Sequence, residues 1–310
     1  MDEAGPHPDT MRAMRLLMTV ITAIALFFAT ALRGQAPTGH PADAALREMV
    51  DTERAFAQLA QVKGWKQAFL EYFADGIRNF EGEDIKAGLR ARPDPPKDLE
   101  FWWEPRYGDI AASGELGWLT GPVRRRAPAV NEGRPSYSCY TSIWKRQADG
   151  TFKVIVDVGV DVPEAAPFPP GVTRVPLGSR YTGASGADAG RDSLQRADRE
   201  LTERATKQIA DAYRAALAAP ARMHRPELMP LTGASAIVDW LRGRPSWTAG
   251  TPRFAEASRA GDLGYTWGDY RSPESASAPA ETGHYLRVWS RDGAGAWRVV
   301  VEVSQIQKAF

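Results

Sequence analysis

Gly114-Glu115-Leu116-Gly117-Trp118 recurs as Gly261-Asp262-Leu263-Gly264-Tyr265, and Gly121 finds Gly268 at the same spacing. Two further blocks repeat in the same order. Tyr140-Thr141-Ser142-Ile143-Trp144 returns as Tyr285-Leu286-Arg287-Val288-Trp289, and Phe152-Lys153-Val154-Ile155-Val156-Asp157-Val158 as Trp297-Arg298-Val299-Val300-Val301-Glu302-Val303. The offset is 147 in the first block and 145 in the other two. Ordered blocks at near-constant spacing are the signature of an internal repeat, so the chain reads as one unit written twice. Each unit opens with apolar residues at helical spacing: Leu46, Met49, Val50, Phe56, Ala57 and Ala60 in the first, Leu194, Ala197, Leu201 and Ala205 in the second. Gly64 breaks the first stretch, and a second amphipathic helix follows in both units. Ala234 to Leu241 adds a short helix, whose counterpart in the first unit is expected to be disrupted by Pro93, Pro95 and Pro96. Strand-like runs come next, Tyr137 to Lys145 and Phe152 to Val160, joined through the hairpin signal Asp149-Gly150, with Asp292-Gly293 in the related turn. Helices first and hairpins afterwards predict an α+β fold.

The remainder of the 310 residues frames these units. Arg12 and Arg15 precede the apolar run Leu16 to Phe28, and small residues at Ala29-Thr30-Ala31 and Gly34-Gln35-Ala36 offer cleavage sites. That pattern is a secretory leader, too short for a membrane span of about 20 apolar residues. The expectation is an exported protein, periplasmic or secreted, with no stable membrane anchor after cleavage; Met11 is an alternative start. Val162 to Gly190 is Pro-rich and then Gly-rich, either a spacer or a surface-hugging connector. The expected segments are a leader over 1–36, units over 42–162 and 191–310, and a linker over 163–190. A formal charge of +1 gives no electrostatic case for nucleic acid, and one cysteine, Cys139, excludes an internal disulfide or a multi-cysteine metal site. No phosphate loop, nucleophile elbow, zinc-protease helix or dinucleotide fingerprint is present. No cofactor and no metal are expected.

The ordered set Glu53-Arg54-Ala55-Phe56, Trp103-Glu104-Pro105, Gly114 to Gly121 and Trp144 to Val158 resembles the nuclear transport factor 2-like superfamily. So does Asp198 to Leu201, Trp247, Gly261 to Gly268 and Trp289 to Val303 in the second unit. The nearest branch in pattern is the domain-of-unknown-function 4440 type; ketosteroid isomerases and polyketide cyclases share the superfamily. The resemblance implies two cone-shaped units, each a curved antiparallel sheet wrapped on N-terminal helices. It also implies pairing of the units through their sheet faces as an intramolecular pseudodimer. It implies no single activity, because this fold hosts enzymes, binders and assembly domains alike.

Candidate site residues follow from position. Glu53 and Asp198 interrupt apolar helix stripes, and a carboxylate on a buried face needs a partner or its pKa rises. Asp157 and Glu302 occupy equivalent strand positions. Strict alternation puts Asp157 with Lys153 and Ile155 on a mixed face, solvated, ion-paired with the other unit or lining a pocket, and Val154, Val156 and Val158 on the core face. His224 and His284 both lie in the second unit, so histidine acid–base chemistry could operate only there. Trp103, Tyr107, Trp118, Tyr140 and Trp144 are the aromatic residues from which a pocket for a flat apolar ligand could be drawn. The functional expectation is a non-catalytic module that binds a small apolar or aromatic molecule or a partner protein. The alternative is an isomerase- or cyclase-type enzyme using a pocket carboxylate as general base. The environments of the four carboxylates discriminate: one beside an aromatic hydroxyl in a cavity without a cation favours catalysis, and pairing with Arg or Lys favours structure.

Overall fold

Glu53 and its apolar neighbours decide how the first helix sits. In α1 (Pro41–Lys63), Ala42, Ala45, Met49, Val50, Glu53, Phe56 and Ala60 form one buried stripe, and Gly64, with φ 85°, turns the chain into α2 (Trp65–Tyr72). The computed structural model describes residues 41–96, 98–128, 131–175, 181, 183, 186–276 and 278–307. The leader over 1–36 and part of the linker lie outside the described residues. The Pro-flanked helix of the first unit is present, contrary to expectation. α3 (Ile85–Ala91) is started by Asp84, which accepts the Ala87 N–H at 2.8 Å, and Arg92 turns to extended backbone because Pro93 follows it. The prolines shorten this helix and do not abolish it.

The first sheet contains β1 (Glu100–Trp103), β2 (Tyr107–Ile110), β3 (Leu116–Arg126), β4 (Ser136–Arg146), β5 (Phe152–Val162) and β6 (Thr173–Arg174), in the order β5-β4-β3-β2-β6 with β1 also on β3. The basic run Arg124-Arg125-Arg126 ends β3, each arginine ion-paired, with Glu100 or Asp161. β6 belongs to the connector and runs parallel to β2, so this stretch of the linker hugs the first unit.

The second unit repeats the plan with α4 (Gly186–Ala205), α5 (Ile209–Ala216) and α6 (Ala234–Arg242). Its strands are β7 (Leu217–Arg225), β8 (Leu228–Thr232), β9 (Ala249–Ala257), β10 (Leu263–Ser272), β11 (Glu281–Arg291) and β12 (Trp297–Gln307), ordered β8-β7-β12-β11-β10-β9. The fold is α+β: two separate sheets, each preceded by helices. The hairpin β7–β8 lies along β12, with β7 pairing it in parallel, whereas the described residues give β5, apart from β4, a single bridge, Phe73 to Val154, and a backbone bond from Glu227 to Asp161.

A bulge in each sheet corrects the alternation expected from sequence. Trp144 pairs with Val154 but Ile143 with Val156, and Trp289 pairs with Val299 but Val288 with Val301. One extra residue flips the strand's faces beyond it. Val154 therefore packs under α1 with Met49, Phe56, Trp103 and Trp144, while Val158 and Val160 turn to the other side. That places Asp157 and Glu302 on the face beneath the helices, opposite Ser142 and Arg287, and not on a solvated mixed face.

The outer faces of the two sheets share one apolar core. Trp118, Cys139, Ile143, Val158 and Val160 cluster with Leu286, Val288, Val301 and Val303. The repeated block Gly-acid-Leu-Gly-aromatic sits at this contact. Glu115 accepts the Arg259 N–H at 2.6 Å, and Asp262 accepts the Ala112 N–H at 2.8 Å. Each acid thus caps the turn preceding the other acid, so the motif recurs because the same contact is made twice.

Candidate functional site

The apolar stripe of α1 delivers Glu53 to the underside of the first sheet, where its surroundings are donors and not cations. Trp103 Nε1 donates to its Oε1 at 2.7 Å; Trp144 Nε1 and Ser142 Oγ donate to Oε2 at 2.8 and 3.0 Å. Burial pushes its carboxyl up to about 7 even though these three donors pull the other way. Asp157 lies across from Ser142 on β5 and is also pushed up to about 7, by burial first and then by the neighbouring charge of Glu53. Asp157 keeps some accessible surface and makes no hydrogen bond or ion pair among the described residues. Tyr140 enters from β4, two residues before Ser142. Its hydroxyl is buried without a partner, and burial together with Glu53 and Asp157 raises its pKa well above the ordinary tyrosine value. Two carboxyls raised to about 7 and one fully protonated phenol are therefore near neighbours in a weakly solvated part of the first unit.

The second unit holds the same positions in a different chemical state. Asp198 on α4 and Glu302 on β12 correspond to Glu53 and Asp157, and Arg287 stands where the first unit has Ser142. Its guanidinium donates through Nε to Glu302 at 2.8 Å, through Nη1 to Asp198 at 2.5 Å and to Thr202 at 3.1 Å, and through Nη2 to the Tyr213 hydroxyl at 3.0 Å. Tyr213 in turn donates to Glu302, and Tyr285, the counterpart of Tyr140, donates to Asp198 at 2.8 Å. Asp198, Arg287 and Glu302 are all at most 1% exposed. A buried charged triad of this kind needs its polar atoms satisfied, and here each guanidinium nitrogen and each carboxylate oxygen has at least one partner.

The histidines do other things. His284 lies at the contact between units, with Nδ1 2.7 Å from Asp269 and Nε2 3.2 Å from Glu81 of the first unit, and its ring lies against Phe80. His224, on β7, is buried with both ring nitrogens unpartnered, and burial followed by the nearby Arg222 charge lowers its pKa to about 3. Among the described residues neither is bonded to Glu53, Asp157, Asp198 or Glu302. Of the five aromatic candidates, Trp103, Tyr140 and Trp144 gather around Glu53. Trp118 belongs to the shared core, and Tyr107 lies beneath the Arg222 guanidinium, 3.5 Å from its ring centre. Among the described residues no group of three or more His, Cys, Asp or Glu side chains could hold a metal ion. Burial raises Cys139 to about 12, so its thiol is not poised for nucleophilic attack.

Three cavities are lined by residues other than the paired carboxylates. At the C-terminal end of α1 a cavity of about 510 Å³ is lined by Trp65, Leu70, Pro95, Leu99 and Phe101 together with Gln61 and Lys66. Phe101 lies tilted against Trp103 with ring centres 5.2 Å apart, and Trp103 is one of the donors to Glu53, so this aromatic pair stands between the cavity and Glu53. In the second unit a pocket lined by Arg225, Trp240, Leu241 and Trp247 holds about 20 Å³. A further cavity of about 490 Å³ between the units carries Lys145, Glu256, Arg259 and Glu115, already engaged with one another.

No family model matches the chain, and no curated protein matches it. Among solved structures it is similar to a ketosteroid isomerase-like protein from Erwinia carotovora atroseptica SCRI1043, at 9% identity over 38% of this chain and 97% of the other, with a TM-score of 0.35. It is also similar to an NTF2-like protein of unknown function from Pseudomonas putida KT2440, at 14% identity over 41% of this chain and 92% of the other, with a TM-score of 0.33. A third is an NTF2-like protein from Cytophaga hutchinsonii ATCC 33406, at 16% identity over 38% of this chain and 98% of the other, with a TM-score of 0.33.

The residue that sequence reasoning left unused is Arg287, together with its counterpart Ser142. Both lie inside the aligned block that revealed the repeat. An arginine facing a serine between paired carboxylate positions was the available signal.

Proposed function

We propose that the protein is a small-molecule-binding module of the nuclear transport factor 2-like type, that its first unit is the working unit, and that its second unit is a closed structural counterpart. One observation carries this. Arg287 neutralises the carboxylate pair of the second unit, while Ser142 leaves Glu53 and Asp157 without a cation and beside the unpartnered Tyr140 hydroxyl. Convergent polar groups of perturbed pKa mark binding sites, and Glu53, Asp157 and Tyr140 are such groups. The two units act as an intramolecular pseudodimer in this proposal, supported by the shared core and the reciprocal Glu115 and Asp262 contacts. Export, proposed from the leader, would put the binding site outside the cytoplasm.

Native mass spectrometry of the protein purified from its producing cells tests the proposal. A retained small molecule that is lost in Asp157→Asn supports it, and a wild-type protein that carries nothing and binds nothing from a fragment library sinks it.

A second reading, acid–base catalysis on a carbon acid, is favoured by Asp157 near pKa 7 close to the unpartnered Tyr140 hydroxyl. Asp157 would take a proton next to a carbonyl that Tyr140 polarises. Enzyme-dependent deuterium uptake at the α-carbon of cyclic ketones, absent in Asp157→Asn, is the measurement for it.

A further inference from the structure

Arg287 offers a template for what the first unit is built to receive. Its guanidinium touches a helix carboxylate, a strand carboxylate and a tyrosine hydroxyl, and it lies 4.0 Å from the ring centre of Tyr285. The first unit keeps the helix carboxylate as Glu53, the strand carboxylate as Asp157 and the ring as Tyr140, and it supplies Ser142 where the arginine would be. Internal repeats align the two sites, which differ in that Trp144 Nε1 donates to Glu53 whereas Trp289 Nε1 donates to Thr266. Gly117 closes on Met49 just as Gly264 closes on Leu194.

We propose that the first unit binds an organic cation of the guanidinium or ammonium type, whose charged head occupies between Glu53 and Asp157 the place that the Arg287 guanidinium occupies in the second unit. This rests on the first unit being the binding unit and names the class of its ligand. Two observations independent of the acidic pair point to a ligand. Tyr140 is 6% exposed, yet its hydroxyl has no partner, whereas the matching Tyr285 hydroxyl is bonded. Asp157 is reachable from solvent beside a β5 edge, while the matching Glu302 is sealed behind the hairpin β7–β8. The remaining charges near Tyr140 are Glu104 and Arg106, which pair with one another at 2.7 Å and leave the acidic pair unneutralised. Trp103 and Phe56, buried edge to face at 4.8 Å, form an apolar wall beside Glu53. Electrostatics then decides the class. Two carboxyls in one desolvated space repel an anion, give a neutral molecule no charge to meet, and favour a cation.

Binding a cation lowers the proton affinity of both carboxyls, so up to two protons leave for the buffer as the charged head enters. Affinity therefore rises with pH across the neutral range, by at most tenfold per pH unit for each proton released.

Phenylguanidine, the isosteric neutral phenylurea and anionic benzoate, titrated calorimetrically into the whole protein at pH 6, 7 and 8 in phosphate and in Tris, test the proposal. The expected result is that phenylguanidine binds at least tenfold more tightly than phenylurea, with proton release read from the buffer dependence. Benzoate should not bind. Asp157→Asn should weaken phenylguanidine at least tenfold, and Ser142→Arg, which installs an internal guanidinium, should abolish it. If Ser142→Arg does not fold, the pH dependence and Asp157→Asn still decide. Phenylurea binding as tightly as phenylguanidine, with loss in Asp157→Asn, would overturn the cation and leave the binding unit standing. Failure of all three probes on wild-type protein would overturn both.

Discussion

At the scale of single residues, the protein keeps two kinds of ionisable group in the wrong state for water, and they act on stability in opposite directions. Glu53 and Asp157 both have folded pKa values near 7, above their unfolded values. A raised carboxyl pKa stabilises below the unfolded value, and that contribution is lost as pH rises through 7. Asp157→Asn should therefore raise stability at pH 8 and raise it less at pH 5, where only part of the contribution has been lost. The gain should be about 1–2 kcal/mol, less than the full ~1.4 kcal/mol per pKa unit because Asp157 reaches water. Urea unfolding at the two pH values measures this, and a larger gain at pH 5 than at pH 8 would contradict it. His224 works the other way, since its folded pKa is about 3. It is fully neutral and tolerated above 6.5, and it costs stability progressively as pH falls toward 3. His224→Leu also removes two unpartnered nitrogens, so the variant should match or exceed the wild type at pH 7. At pH 4.5 it should be more stable by about 2 kcal/mol. An acid limb unchanged in the variant would show that His224 does not set it. The carboxyls were legible as anomalies on helix and strand; the absence of a neutralising arginine was legible only by laying Ser142 against Arg287.

At the scale of elements, the helices and hairpins were readable because their apolar spacings are local, and what escaped was one-residue irregularities that depend on a neighbouring strand. The bulge opposite Val154 and Val156 decides whether Asp157 faces the helices or the other unit, and no periodicity within β5 reveals it. Glycine conservation between the repeats marks a second irregularity. A side chain at Gly121 would run into the carbonyl of Glu104 where β1 gives way to β2, and one at Gly268 into the carbonyl of Thr251 and, at 2.6 Å, the Tyr285 hydroxyl. Both positions let a neighbouring strand bend toward β3 or β10, and in the first unit that bend carries Trp103 to Glu53. Gly121→Ala should therefore destabilise by about 2–3 kcal/mol, the usual cost of overpacking. It should also disturb the tryptophan fluorescence that reports Trp103. A wild-type denaturation midpoint in Gly121→Ala would contradict the argument. The proline-flanked α3 teaches the complementary lesson: Pro93 ends a helix that Asp84 has already started, so proline content fixed its length and not its existence.

At the scale of the whole described structure, pairing of the units determines how stability is shared. Valines and aromatics of both outer sheet faces belong to one buried cluster, which continues into the interior of the second unit. A core shared in this way cannot be lost from one unit without exposing the other, so the units are expected to unfold together. Denaturant unfolding followed by far-ultraviolet dichroism and by tryptophan fluorescence should give coincident single transitions; separated midpoints would mean independent units. The reciprocal turn contacts supply the means to loosen the pair deliberately. Glu115→Ala and Asp262→Ala each strand one backbone N–H of the opposite unit, Arg259 or Ala112, which costs about 1–2 kcal/mol where the group stays dry. Because the two contacts lie on neighbouring turns of one interface, the double variant should lose less than the sum of the singles. Once one turn has loosened, the other N–H can reach water. Additive losses would show two independent caps, whereas subadditive losses, measured in a double-mutant cycle, would show the repeated motif acting as one clasp.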